Sequence, residues 1–522
     1  MRVRPFAAVR PVDTAAAERV ACPPYDVVSA ADAVAAAAAS PDTFLRVVLP
    51  ECGLPDGGGS GPDAGRRRHE AASAALARLI ADGLLVREAA PALYVYELSL
   101  DGGSGGVGGG DGSRHTQRGL VATVSVDDYQ AGVIRVHEDT RAAKEAERMA
   151  LTDAVNAHTG PVFLTHPDGG APAAGSAAGD GIPPGGGGPV SAALDAAVSA
   201  AGAPLFSFTD GDACGPVTHS VWRVDGPSST ALAAAYAAHV PAAYVADGHH
   251  RAASAVAVGV ARQKRAAVAA AASDEPAPAN GIVEAGWFLA VLFPVSQMRL
   301  LPYHRVVRAL PDGTSAESFL AALSAVCDVA SSSAAAAAAA TAAPAVPILC
   351  VDGAARAPEG EASLPTPPRA TVVHAYLRRQ WYRVTLPALP SSRAPGSDAS
   401  PSSCNGQHGA ADLAAALDCA RLQAVVLGPL LGIEAPRTDP RMEFVGGDGG
   451  VPALQAAVDG LDKAAAAAVG GGGGERPAAV AFAMAPVAMA DLLAVSDAGG
   501  RMPPKSTWFS PKLRSGLFVH TF

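Results

Sequence analysis

The chain has 522 residues and a formal net charge of −10. This acidic balance argues against a protein that coats nucleic acid, so nucleic acid is not an expected partner. No apolar run has the length and freedom from charge of a membrane span, and the first residues contain no apolar signal region. The seven cysteines, without a Cys-x-x-Cys pair, favour neither a disulfide framework nor a zinc site. We expect a cytoplasmic protein without a membrane partner; an organellar form from another start codon and the oligomeric state stay open.

Stretches rich in Gly, Ala, Ser or Pro interrupt the chain near residues 55–65, 101–113, 168–190, 331–345, 390–410 and 464–475. Such stretches cannot bury enough apolar surface to offset the entropy that is lost on ordering. We therefore predict surface insertions, which cost little because loop-closure entropy grows slowly with length. Without them roughly 400 residues remain, enough for a large core.

The hydrophobic pattern predicts both helices and strands along the chain. Helices are predicted over 30–39, 67–82, 140–157, 251–262 and 413–427. Strands are predicted over 92–100, 117–126, 133–136, 161–164, 219–224, 242–245, 286–293, 299–303, 380–386 and 516–520. The elements alternate without a regular βαβ rhythm, which favours the α+β class over a doubly wound α/β fold.

The most informative segment joins a short apolar strand to an alanine-rich helix through Asp247-Gly248. A strand, a glycine turn and a helix N-terminus form an anion site, because the first backbone N–H groups and the helix dipole point into the turn. His249, His250 and Arg251 add donors for phosphate oxygens, and Asp247 could hold a metal or orient a histidine. The alternative is an ordinary Asp-Gly turn followed by solvated side chains. Adjacent histidines on a helix point in different directions, which disfavours zinc.

Two acidic segments precede that turn in the chain. His137-Glu138 lies between the end of a predicted strand and the start of a charged helix. Loop positions at the ends of strands often hold catalytic groups. The alternative for this segment is an ordinary helix with surface ion pairs. Asp26 follows Cys-Pro-Pro-Tyr, a rigid turn that ends on a carboxylate.

Two basic segments follow it. Arg437-Thr-Asp439 surrounds a predicted turn, and its alternative role is to brace a loop. Lys505, Ser506 and Thr507 come after two prolines and offer phosphate-binding donors, with Lys512 and Arg514 adding charge. The glycine spacing of a Walker A loop is absent, so this is not that motif.

These segments occur together, and in this order, in one family. The chain resembles the bacterial family called domain of unknown function 1015. The resemblance rests on Arg4-Pro-Phe6, Pro24-Tyr-Asp-Val-Val28, Pro91-Ala-Leu-Tyr-Val-Tyr96, 119–129, His137-Glu138 with Thr140-Arg141 and Lys144-Glu145, Asn156 with Gly160-Pro-Val-Phe163, 246–251, 288–294, Arg437-Thr-Asp439, Phe444-Val-Gly-Gly447 and 502–519. The Asp-Gly-His-His-Arg element is similar to the phosphate-binding turn of the ParB/sulfiredoxin superfamily, which includes free-serine kinases.

The resemblance implies a single family-wide unit over 1–522, with a ParB/sulfiredoxin-like core near 1–310 and a C-terminal α+β part over 311–522. It also implies ATP-dependent phosphorylation of free L-serine to O-phospho-L-serine, with Mg²⁺. The alternatives are a ParB-like nucleotide-binding switch and a nucleotide hydrolase without a metabolite acceptor. ATP, ADP and pyrophosphate all stay open as donors, and the acceptor rests on analogy.

The residues that the resemblance and the patterns together single out fall into three groups. The expected catalytic residues are Glu138, Asp26 and His250, with Glu138 ahead of Asp26 as the base. The expected nucleotide-binding residues are Asp247, Gly248, His249, His250, Arg251, Arg437, Lys505, Ser506, Thr507 and Arg514. The expected metal ligands are Asp247 and Asp439.

Overall fold

The computed structural model describes residues 1–61, 63–100, 114–168, 188–212, 215–272, 284–331, 371–389, 410–468 and 478–522. The predicted insertions over 101–113, 169–187, 332–345, 390–409 and 469–475 lie outside the described residues. The chain divides into two compact units. The first comprises Met1–Asp101, Arg114–Met298 and Pro511–Phe522, and the second contains Arg299–Ser510.

The strands, in chain order, are β1 Val3–Arg4, β2 Ala8–Pro11, β3 Leu85–Arg87, β4 Leu93–Leu100, β5 His115–Ser125, β6 Ile134–Arg135, β7 Ala157–His158, β8 Val162–His166, β9 Phe206–Asp212, β10 Gly215–Val224, β11 Ala243–Asp247, β12 Trp287–Pro294, β13 Leu300–Leu301, β14 Tyr303–Val307, β15 Asp328–Ser331, β16 Thr371–Leu377, β17 Gln380–Leu386, β18 Met442–Gly446, β19 Val480–Ala483, β20 Trp508–Phe509 and β21 Val519–Thr521.

The α-helices are α1 Thr14–Val20, α2 Ala30–Ala39, α3 Leu45–Val48, α4 Ala64–Ala81, α5 Val126–Gln130, α6 Ala142–Val155, α7 Pro189–Ala201, α8 Gly226–His239, α9 His249–Ala272, α10 Ala316–Val326, α11 Ala410–Ala415, α12 Asp418–Leu422, α13 Gly450–Ala468 and α14 Met489–Asp497. Short 3₁₀ turns cover Pro50–Gly53, Pro55–Gly58, Val295–Gln297 and Gly447–Gly449, and one π-turn covers Gln423–Leu427.

In the first unit, the largest sheet of the described residues has the order β6-β11-β8-β12-β5-β4-β10-β9, with β1 paired to β5. Strand β12 pairs antiparallel with β5 and parallel with β8, so the sheet is mixed. The sequence of β12 is apolar at nearly every position because seven of its eight residues are buried, as in a strand covered on both faces. A second sheet has the order β3-β2-β21-β7 and brings the two ends of the chain together.

In the second unit, one sheet of the described residues has the order β15-β17-β16-β19-β14-β18, and β13 pairs with β20. The core of this unit includes Phe319, Leu323 and Phe482, all almost completely buried. Helix α10 starts at a serine cap, since Ser315 accepts a hydrogen bond from the backbone N–H of Ser318.

The α+β class with mixed sheets is confirmed. Helix α2 and strand β17 have the predicted bounds. The predicted helix over 413–427 is wrong as one element, because it is divided into α11, α12 and a π-turn. In the described residues, no helix is long and apolar enough to cross a membrane.

Two of the predicted insertions are partly wrong. Residues 55–58 form a 3₁₀ turn, and the Arg68 guanidinium donates to the backbone oxygens of Gly57 and Gly59, which fixes this segment to α4. Residues 464–468 continue α13, because alanine is the best helix former and the glycine run begins only after them.

Candidate functional site

The site is built around the glycine turn (residues 247–251), which joins β11 to α9 in the first unit. Strand β11 pairs with β8, and its register shifts between Val245 and Asp247, so one extra residue bulges at the end of the strand. Such a bulge re-aims the side chain that follows it. The helix begins at His249, two residues earlier than predicted. His249, His250 and Arg251 therefore lie in the first helical turn and not in the loop before it.

Gly248 connects the bulge to the helix and has a backbone φ of 91°. This left-handed conformation favours glycine. A Cβ atom here would also lie 2.9 Å from Cζ and Nε of Arg251. The absence of a side chain at Gly248 thus lets the Arg251 guanidinium fold back over the turn.

Asp247 lies between two cations. Its Oδ2 is 3.3 Å from the Arg251 guanidinium and 3.5 Å from Nζ of Lys512, a side chain that is only 7 % exposed. Burial by itself would raise the pKa of Asp247, but Lys512, Arg251 and His249 outweigh it and lower the pKa to about 2. The Asp247 carboxylate thus faces two buried side-chain cations at the N-terminus of a helix.

Arg251 links the turn to two other segments of the chain. Its guanidinium donates to the backbone oxygen of Pro161 and lies 3.6 Å from Oδ2 of Asp26. Burial alone would lower the pKa of Arg251, but Asp26 and Asp247 raise it, so the side chain is always charged. Two of the sequence-predicted residues, Asp26 and Arg251, are therefore brought together although 225 positions separate them.

The predicted His137-Glu138 segment also reaches the glycine turn. His137 is fully buried, and its ring packs edge-on against His249 with the ring centroids 4.4 Å apart. Glu138 is half-buried and follows this contact in the chain. Among the residues that the structure describes, the Glu138 carboxylate has no hydrogen bond or ion pair, which separates it from Asp26.

A small cavity lies beside the turn, on the side of Arg251. Its volume is about 40 Å³, and its polar wall includes Tyr25, Arg148, His158 and Arg251. The Arg148 guanidinium stacks 4.1 Å from the centre of the Tyr25 ring. Burial and the nearby Asp26 raise the pKa of the Tyr25 hydroxyl to about 12, so this hydroxyl keeps its proton.

Arg514, an expected phosphate ligand, is instead 2 % exposed and bound to a carboxylate. Its Nε and one terminal nitrogen donate to both oxygens of Asp210, at 2.6 and 2.9 Å. Asp210 also bonds His219, whose other ring nitrogen lies 2.7 Å from the Tyr96 hydroxyl. Burial opposes ionisation of Asp210, but His219 and Arg514 lower its pKa to about 2. This network ties the C-terminal segment to β9.

The other basic candidates belong to the second unit. Lys505 is exposed, has a φ of 56° and lies 5.2 Å from the Tyr303 ring centre. Ser506 donates its hydroxyl to the Pro503 oxygen at 2.8 Å. Thr507 is 9 % exposed.

The arginine turn (residues 437–441) is likewise in the second unit. Asp439, an expected metal ligand, accepts from the backbone N–H, Nε and a terminal nitrogen of Arg441 at 2.9, 3.1 and 2.8 Å. These bonds from Arg441 hold the pKa of Asp439 below its usual range. Arg437 is half-buried in the same turn. The geometry matches the loop-bracing alternative.

The sequence gives little indication that three residues near the glycine turn lie there: Lys512, Arg148 and His158. Lys512 belongs to a basic run that the sequence shows, but nothing local predicts its approach to Asp247, 265 positions away. Arg148 lies on a charged helix of ordinary pattern, and His158 carries no motif. Within the described residues, no cluster of three or more His, Cys, Asp or Glu side chains forms a cage for a metal.

The fold and the glycine turn together define an α+β protein with a candidate anion site. The chain belongs to the family described as "Protein of unknown function (DUF1015)", whose model matches residues 3–178 and 184–418. The resemblance seen in the sequence is thereby confirmed at the level of the family. The motifs at 437–447 and 502–519 lie outside the matched residues. No curated protein matches the chain.

The solved structures that are similar to this chain include the following two. One is SbnI with C-terminal truncation from Staphylococcus aureus, at 10 % identity and a TM-score of 0.29, covering 77 % of this chain and 87 % of that one. The other is a mutant free serine kinase in complex with AMP, at 8 % identity and a TM-score of 0.27, covering 74 % of this chain and 87 % of that one. At these TM-scores neither likeness assigns a role to any residue here.

Proposed function

We propose that this chain binds the phosphates of a nucleotide at the glycine turn and transfers a phosphoryl group from ATP to free L-serine. The observation that carries the proposal is the pair of buried cations, Lys512 and Arg251, beside the Asp247 carboxylate at the start of α9. Phosphate binding at a helix N-terminus uses the same backbone donors and dipole. The choice of serine follows the resemblance of the turn to a superfamily that includes free-serine kinases.

Phosphoryl transfer needs positioning and neutralisation of charge more than covalent chemistry. Lys512, His250 and the N–H groups of the first helical turn are the donors that we assign to the phosphates. Arg251 is held by Asp26 and Pro161, so it enters the reaction already oriented. The products are ADP and O-phospho-L-serine, and the serine hydroxyl gives up its proton.

We assign Glu138 as the acceptor of that proton. Its carboxylate is half-buried next to the His137–His249 contact and has no ion pair among the described residues. Asp26 is the weaker candidate, because its oxygen already lies 3.6 Å from the Arg251 guanidinium.

Mg²⁺ fits this site as an ion carried by the nucleotide and not as a resident ion. Asp247 already faces two cations, and Mg²⁺ commonly uses one or two carboxylates with substrate phosphates. When bound, it would neutralise phosphate charge. The part of Asp247 in this proposal is to hold Lys512 and Arg251 in place.

The test is to incubate the full-length protein with ATP, Mg²⁺ and L-serine and to measure ADP and phosphoserine by mass spectrometry. Parallel reactions contain ADP or pyrophosphate as the donor, or omit serine. Serine-dependent phosphoserine in equal amount to ADP is the expected result. ADP without phosphoserine would identify a nucleotide hydrolase, and tight binding without turnover would identify a nucleotide switch. Either outcome would overturn the kinase proposal.

A further inference from the structure

The cavity beside the glycine turn contains polar atoms whose hydrogen-bonding capacity is not used. A cavity needs a volume of about 10–15 Å³ to hold one buried water molecule. This cavity has a volume of about 40 Å³ and therefore has room for the polar groups of a small ligand. Thr159, Ser254 and Ser515 contribute to its wall, together with apolar side chains such as Leu151 and Phe288. The wall is therefore mixed, as in sites that orient a small metabolite by a few polar contacts.

Three nitrogen atoms of the cavity-lining side chains lack a hydrogen-bond partner among the described residues. They are Nε of Arg148, Nε of Arg251 and Nε2 of His158. The side chains of Arg148 and Arg251 are 7 % and 10 % exposed, and His158 is 7 % exposed. Leaving a buried polar atom without a partner costs free energy, so three such atoms around one cavity point to a ligand.

The tautomer of His158 follows from a chain of hydrogen bonds that ends at a carboxylate. Nδ1 of His158 lies 3.2 Å from Nδ1 of His520, and Nε2 of His520 lies 3.0 Å from Oε2 of Glu284. Glu284 also pairs with Arg4, and its pKa is lowered by His520 and Arg4, so it is ionised.

An ionised Glu284 can only accept, so Nε2 of His520 carries a proton. Neutral His520 then has a lone pair on Nδ1, and His158 must donate its Nδ1 proton to it. Neutral His158 is left with a lone pair on Nε2. Burial, with smaller contributions from His520 and Arg262, lowers the pKa of His158 well below its usual value, which keeps the ring neutral. The cavity wall therefore includes an imidazole nitrogen that accepts and two guanidinium groups that donate.

We propose that this cavity binds the amino-acid end of the phosphoryl acceptor, with Nε2 of His158 accepting from the α-ammonium group and Arg148 and Arg251 donating to the carboxylate. This inference rests on the proposed function for the identity of the acceptor. Arg251 belongs to both the glycine turn and the cavity wall, so an amino acid bound here lies beside the phosphates. Glu284 and His520 act as positioning residues, because they fix the proton on Nδ1 of His158.

The test measures the binding of L-serine to the full-length protein by calorimetry, in the presence of a non-hydrolysable ATP analogue. His158→Leu removes the acceptor and should weaken serine binding roughly 10- to 100-fold, with the affinity for the analogue unchanged. His158→Gln, whose amide can present an oxygen acceptor, should restore part of the binding. His239→Leu, at an exposed histidine, should match the wild type. Circular dichroism verifies that each variant is folded.

Two probes test the chemistry of recognition. 3-Hydroxypropionate lacks the ammonium group and ethanolamine lacks the carboxylate; the wild-type protein should bind both at least 10-fold more weakly than L-serine. His158→Leu should lose its preference for L-serine over 3-hydroxypropionate while keeping the preference over ethanolamine. Glu284→Gln should weaken serine binding less than His158→Leu, because it acts through His520.

The outcomes separate the two proposals. Serine binding that depends on His158 without phosphoserine formation would support the cavity and overturn the kinase reaction. Phosphoserine formation with unchanged serine affinity in folded His158→Leu would overturn the cavity and support the kinase. Absence of serine binding to the wild-type protein would overturn the cavity assignment.

Discussion

The glycine turn and the arginine turn contain the same pair of residue types, yet they use them differently. In the arginine turn, Asp439 and Arg441 bind each other at several points, and Arg441 also donates to the backbone oxygens of Leu431 and Gly432. In the glycine turn, Asp247 faces both Arg251 and Lys512 at distances of 3.3 and 3.5 Å. The first arrangement closes a loop, and the second lies at a helix N-terminus whose backbone N–H groups can bind an anion.

The comparison teaches that an Asp–Arg motif predicts function only together with its surroundings. A surface pair at good geometry contributes about 1 kcal/mol or less and needs nothing further. Buried ion pairs are costly unless further polar partners satisfy their charges. The glycine turn combines buried ion pairs with a helix N-terminus that can bind an anion, and this combination marks it as the candidate site.

The largest effect is expected for the carboxylate next to the glycine turn. Glu138→Gln keeps size and hydrogen bonding but removes the proton acceptor, so phosphoserine formation should fall about 10²- to 10⁴-fold. Nucleotide affinity should stay the same, because the proposed role of this carboxylate is toward the acceptor and not toward the nucleotide. Turnover numbers and nucleotide titrations measure the two quantities.

The neighbouring Asp139→Asn is the matched control, since Asp139 is exposed, and it should retain activity. If Glu138→Gln is active and Asp26→Asn is not, then Asp26 is the base. If both retain turnover, neither carboxylate is the base.

The second effect concerns the buried cations at the glycine turn. Lys512→Met keeps an apolar side chain of similar length but removes one of the two cations, so nucleotide affinity should fall roughly 10- to 100-fold. Lys264→Met, at an exposed lysine of α9, should bind the nucleotide normally. Fluorescence titration with a labelled ATP analogue measures the affinity, and unchanged binding in folded Lys512→Met would contradict the assignment.

The third effect compares one glycine near each turn. Gly248 and Gly432 both have a positive φ, so alanine strains either position by about 1 kcal/mol. At Gly432 a Cβ atom meets nothing within 4 Å, whereas at Gly248 it collides with the Arg251 guanidinium. Gly248→Ala should therefore lose nucleotide affinity as well as stability, and Gly432→Ala stability alone. Equal nucleotide affinity in both variants would show that the position of Arg251 is unimportant.

The fourth effect is the acid dependence of stability, which concerns folding and not nucleotide affinity. The folded pKa of Asp247 is about 2, below its unfolded value of about 3.9, so its contribution is present above pH 4 and is lost as the pH falls toward 2. That contribution is roughly 2–3 kcal/mol. Asp247→Asn should reduce the fall in the free energy of unfolding between pH 5 and pH 2.5, as measured with urea.

Asp439→Asn, whose partner Arg441 is 31 % exposed and hence well solvated, should change the same difference by about 1 kcal/mol or less. A larger change for Asp439→Asn than for Asp247→Asn would reverse the comparison between the two turns.

Much of the fold could be predicted from the spacing of hydrophobic residues and from the glycine and proline residues that interrupt helices and strands. The side chain of Ser29 caps the N-terminus of helix α2, and the apolar run of β12 by itself predicts a buried strand. Errors occur where composition misleads. Arg68 stabilises a glycine-rich segment near 57–59, and alanines near 464–468 extend α13. Composition alone predicts neither of these features. The ordered segment near 57–59 depends on Arg68, which is its partner in the fold, and the helical alanines depend on the helix that precedes them.

The sequence by itself determined the strand–glycine–helix segment at 247–251, the α+β class and the family. The segment depends on the backbone freedom of glycine, the class depends on the local spacing of hydrophobic residues, and the family depends on motifs that follow one another in a fixed order. Only the tertiary structure decided which charged and polar side chains contact one another. It brings Lys512 to Asp247, Asp26 to Arg251 and His520 to His158, and it commits Arg514 to Asp210. Such pairs join positions hundreds of residues apart, and the physical reason is that sheet pairing and burial, not sequence spacing, set the distances on which electrostatics depends.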